Sequence, residues 1–61
     1  MDVDAFLAAR EQLKTATTHI QEVMPGWPFV ATVPPSKIQE LAEALWAEER
    51  ASEKMREALS Q

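Results

Sequence analysis

Sixty-one residues allow one small domain at most, and although 46% are hydrophobic, ten of those are alanines. There is no cysteine, which excludes disulfides and thiolate metal sites, and ten acids against six bases give a net charge of −4 that disfavours nucleic acid and anionic membranes. A chain this short buries only about 60% of its unfolded surface, so a second copy or a larger partner is the expected source of further stability.

No apolar run approaches the roughly 18 residues of a membrane span. The opening segment MDVDAFLAAR has acids where a secretory leader carries lysine or arginine. The expectation is therefore a soluble, cytoplasmic protein.

In chain order, residues 2 to 24 read as one amphipathic helix, regular from about residue 3. Asp2 is placed to cap it, and Asp4 sits in the first turn, where the helix dipole favours acids. Val3, Phe6, Leu13, Ile20 and Val23 recur at three- and four-residue steps, with Ala9 and Ala16 between them. Phe6, Leu13 and Ile20 lie seven apart, as along a coiled-coil seam, and the alanines beside them permit close packing. Thr15, Thr17 and Thr18 are poor helix formers, so packing must hold that turn. Pro25 disfavours helical backbone at Met24 and ends the element.

The linker, residues 25 to 35, reads PGWPFVATVPP and holds all four prolines and the only glycine. Pro25-Gly26 fits the centre of a type II turn. An extended course beyond it would put Phe29, Ala31 and Val33 on one side and Val30 and Thr32 on the other. Eleven residues exceed the usual connection of about 2 to 8 between antiparallel helices. Three roles compete for the aromatics. Trp27 and Phe29 fold back to cap the helix pair, or they anchor a partner, or residues 29 to 33 pair as a strand.

Residues 36 to 60 form the second expected helix, regular over 37 to 59. Ser36 and Gln39 fit a capping box, and Pro34 and Pro35 block an earlier start. Ile38, Leu41, Leu45, Met55 and Leu59 line one side, with Ala42 and Ala58 beside them, and the stripe weakens at Glu48, Glu49 and Ser52. Trp46 sits at the edge of that stripe and would widen it against a second subunit. Two helices of about 33 and 35 Å favour an all-α antiparallel hairpin that doubles into a four-helix bundle. Its expected core and dimer residues are Phe6, Leu13, Ile20, Ile38, Leu41, Leu45, Met55 and Leu59.

A different arrangement has its own support. VPPSKIQELAEALWAEERASEKMREALSQ resembles the back of a ribbon-helix-helix protein, with FVATV as the strand, residues 36 to 49 as one helix and Ser52 capping another. That resemblance implies a DNA-binding dimer with an N-terminal helical extension. Val30 and Thr32 would then stand where that family presents polar or basic side chains to the major groove.

Catalysis needs a positioned acid, base, nucleophile or cofactor, and the chain assembles none of these. His19 and Glu22 form the one metal-like pair, and a single glycine cannot build a phosphate-cradling loop. No cofactor, metal or small-molecule substrate is expected, and the chain reads as a non-enzyme. The expected partners are another protein or the chain itself, with Trp27, Phe29, Val30 and Trp46 as contact candidates. Size and composition fit a bacterial or phage regulator, inhibitor or assembly subunit. A third reading gathers Arg10, Arg50, Lys14 and Lys54 into a basic stripe on an RNA-binding hairpin dimer.

Overall fold

The computed structural model describes residues 1 to 60. Two helices account for most of them, α1 over Val3–Val23 and α2 over Pro35–Ser60. They pack side by side in a rod of 41 × 16 × 14 Å. The order of contacts makes them antiparallel: the Asp2 N–H donates to the Ala58 carbonyl at 3.0 Å, and Lys54 Nζ donates to Gln12 Oε1 at 3.4 Å.

Asp2 begins α1 as expected. Its backbone is extended, its Oδ1 accepts from the Ala5 N–H at 3.0 Å, and its carbonyl accepts from the Phe6 N–H at 2.9 Å. The same residue thus caps α1 and ties it to the last turns of α2. In the threonine turn, Thr17 Oγ1 donates to the Leu13 carbonyl at 2.9 Å and Thr18 Oγ1 to the Lys14 carbonyl at 3.0 Å. These bonds satisfy the two hydroxyls on the helix's own carbonyls, which adds no strength to the helix itself, so the turn still relies on packing. The helix closes where the Met24 N–H donates to the Ile20 carbonyl at 2.8 Å, one residue before Pro25.

Helix α2 departs from the expected start. It begins at Pro35, so Ser36 lies inside the first turn and does not cap it through a Ser36–Gln39 box. Proline is pre-set for the first helical position because its ring fixes a helical φ and the missing N–H has no partner there to lose. The Lys37 N–H donates to the Pro34 carbonyl at 2.9 Å and tightens that turn.

The ribbon-helix-helix arrangement is not adopted. Residues 29 to 33 form no strand, and α2 runs without interruption through Arg50 and Ala51. Ala51 is 2% exposed, so a turn there would break the helix within its buried seam.

The packing seam is built from alanine. Ala9 and Ala16 on α1 and Ala44, Ala51 and Ala58 on α2 are all buried, each set at seven-residue spacing. Side chains of one carbon let two helices approach toward the lower end of the usual 8–10 Å between axes. Ala42, expected beside the stripe, is exposed. Near the linker the seam opens into a core of larger side chains: Ile20, Val23, Leu41 and Ala44, with Met24, Trp27, Val33 and Leu45 packed against it. No described side chain buries a polar atom without a hydrogen-bond partner.

Candidate interaction surface

The helices divide the rod into two flanks. On α1, Phe6, Leu13 and Thr17 fall to one side of the Ala9–Ala16 line, and Ala8, Gln12, Thr15 and His19 to the other. Cross-helix neighbours join each side to α2. Glu48 Oε2 lies 3.4 Å from Thr17 Oγ1 on the first flank, and Lys54 reaches Gln12 on the second. The Thr17 hydroxyl has one hydrogen, and the closer Leu13 carbonyl takes it. Glu48 is therefore a neighbour of Thr17 and not its main bond.

The first flank is apolar at both ends. Phe6, Leu13, Leu45 and Met55 are half-buried, while Val3, Leu7, Ile38 (55%) and Leu59 (53%) are exposed. Its middle carries Thr17, Glu48 and Ser52. An open depression of about 610 Å³ runs along the α1 side, bordered by Leu7, Arg10, Leu13, Lys14 and Thr17. Of the eight expected core and dimer residues, only Ile20 and Leu41 are buried within one chain. Ile38 and Leu59 are exposed in the single chain, so of the core and dimer roles expected for them only a contact with a second copy remains open.

The linker resolves into two turns. The Trp27 N–H donates to the Met24 carbonyl at 3.1 Å around Gly26, whose φ is +91°, in keeping with the expected type II turn. The Phe29 N–H then donates to the Gly26 carbonyl at 2.8 Å, across a cis Trp27–Pro28 peptide. This course sends the two aromatics apart. Trp27 is half-buried on the Ile20–Leu41 core, whereas Phe29 is 93% exposed. Val30 is half-buried beneath Gly26, and Val33 packs on the core, so Phe29 and Val33 do not share a side. The turns, in place of one extended run, are the reason.

Gln21 clamps this linker, a role its sequence context gave no sign of. Its Nε2 donates to the Trp27 carbonyl at 2.8 Å and its Oε1 accepts from the Gly26 N–H at 3.1 Å. One side-chain amide thus satisfies both a donor and an acceptor of the turn. Gln21→Ala is expected to cost about 1 kcal/mol. Amide hydrogen exchange at Gly26 should quicken while exchange at Ala51 changes little beyond the small drop in global stability, and equal acceleration at both would contradict a local clamp.

Trp46 lies outside the seam and is 65% exposed, with the Arg50 guanidinium 5.2 Å from its ring centroid. That contact extends the exposed ring toward the Lys54 side. Arg10 precedes Thr17 by seven residues and belongs to the apolar flank, while Lys54 belongs to the opposite one. Within one hairpin the four bases therefore form no single stripe. His19 and Glu22 are both exposed, and among the described residues no group of three histidines, cysteines or acids could hold a metal. No helix among the described residues is long and apolar enough to cross a membrane.

Comparison with protein-family models, with curated proteins and with solved structures returned no match to this chain.

Proposed function

We propose that the protein is a small non-enzymatic interaction module, a regulator, inhibitor or assembly subunit. Two hairpins join through the apolar flank into a four-helix bundle, and the assembled bundle binds a larger protein. The observation that carries this reading is the one-sided distribution of uncovered apolar side chains. Phe6, Leu13, Leu45 and Met55 are half-covered and Ile38 and Leu59 are exposed beside them, whereas the opposite flank is small and polar except for Trp46 at its outer border.

The surface area supports the same conclusion. A compact monomer of 6.9 kDa exposes about 4,000 Å², and this chain exposes 4596 Å². Two copies merged to ordinary compactness would bury about 2,500 Å² in total, within the range of stable homodimers. Phe29, held out on a clamped turn, is the side chain best placed to meet a larger partner.

Leu59→Glu tests the dimer interface, because Leu59 is exposed in the single hairpin and its loss leaves the seam intact. The variant should keep its helical signal at high concentration yet dissociate at concentrations at least tenfold above the wild type. An unchanged dissociation midpoint would contradict the proposed interface.

A further inference from the structure

We infer that the two hairpins are related by a two-fold axis parallel to their helices, so that both Phe29 tips emerge at the same end. This inference rests on the dimer proposed above and concerns only how the second copy is seated. Two symmetric arrangements can cover the apolar flank. Rotation about an axis across the rod lays α1 on α1 and α2 on α2 with the tips at opposite ends. Rotation about the long axis lays each α1 on the α2 of the second copy with the tips together.

Charge separates the two. Glu48 lies at the midpoint of Pro35–Ser60, on the flank, and Glu49 follows it at the flank's outer border. Laying α2 antiparallel on α2 therefore brings Glu48 and Glu49 against the same pair of acids from the other copy. Like charges placed opposite one another in an interface disfavour that pairing. The α1 border carries Arg10 and Lys14 along the open depression. Lys14 lies between Gln12, which is level with Lys54, and Thr17, which is level with Glu48. With α1 laid on the second copy's α2, Lys14 comes within about one helical turn of that copy's Glu49, and symmetry makes the match twice. The same register sets Arg10 level with that copy's Arg56, a like-charged pair that Glu53, three residues before Arg56, offsets. The crossed arrangement instead stacks Glu48 and Glu49 on their own copies with no base between them. The consequence is a bundle with two exposed phenylalanines at one end, a bivalent surface on one small protein.

Ala31→Cys puts a thiol on the exposed linker of a chain that has no other cysteine, and a nitroxide label there reports the spacing between tips. With helix axes about 8–10 Å apart, tips at one end give a label separation of about 15–30 Å. Opposite ends give a separation of the order of the 41 Å rod, which would overturn the inference while leaving the dimer. Absence of dipolar coupling with a monomer mass would overturn the dimer itself. A charge exchange provides a second reading: Glu49→Lys should weaken dimerisation, and Lys14→Glu in the same chain should restore it. No restoration would contradict the Lys14–Glu49 apposition.

Discussion

Replacing Ala51 with proline is expected to unfold the hairpin. Ala51 lies in the middle of α2, and proline there removes one backbone donor and drives its ring into the carbonyl of Ala47. That costs about 3 kcal/mol or more in a helix interior. A 61-residue chain holds about 3–9 kcal/mol in total at the usual stability per residue. The substitution also disturbs the seam, since Ala51 is 2% exposed between Ala44 and Ala58. Circular dichroism should show most of the helical signal lost at 25 °C. A variant that keeps its helicity and melts within a few degrees of the wild type would instead place a turn at residues 50 to 51.

Ala16→Leu should be the second most damaging change, and its sign is the informative part. Hydrophobicity alone predicts that an added leucine strengthens an amphipathic helix short of large side chains. The seam predicts the reverse. Ala16 is 7% exposed and packs where α1 and α2 come close, so three more carbons must push the helices apart. Overpacking of that kind costs about 1–3 kcal/mol. Ala8→Leu is the matched control, because Ala8 is exposed on the opposite flank and substitutions at such sites stay within about 0.5 kcal/mol. Urea denaturation of the pair should separate them clearly. Equal stability, or a gain at Ala16, would show that the helices are not held at alanine distance.

The architecture was legible from the sequence because its punctuation is strong. Asp2 marks one helix start, Pro25-Gly26 the turn, and the paired prolines 34 and 35 the neighbourhood in which the second helix begins. The nature of the packing was harder to read. A pattern of large apolar residues makes alanine an accessory, so Ala42 drew notice beside the α2 stripe while Ala44 and Ala51 did not. The stripe fades at Glu48, Glu49 and Ser52 because it follows the flank, where polar residues interrupt it. The seven-residue repeat of Ala44, Ala51 and Ala58 continues through the same region, and that spacing was the available signal.

The capping box failed for a local reason. Ser36 and Gln39 have the right spacing, but proline is itself a good first helical residue, and Pro35 took that position. The linker was readable in its first turn and not in its second. The opposite outcomes for Trp27 and Phe29 follow from that second turn, and Gln21, which bonds the Trp27 carbonyl and the Gly26 N–H, reaches the linker only once the chain has folded back.

The alanine-seamed hairpin leaves one apolar flank uncovered, and the proposed function assigns that flank to a second copy. Sedimentation equilibrium of the unmodified chain at about 0.1 M salt, across a range of micromolar concentrations, tests it most directly. The expected result is a mass of twice 6.9 kDa that dissociates reversibly on dilution. A folded, helical species that stays at 6.9 kDa up to the highest concentration would contradict it.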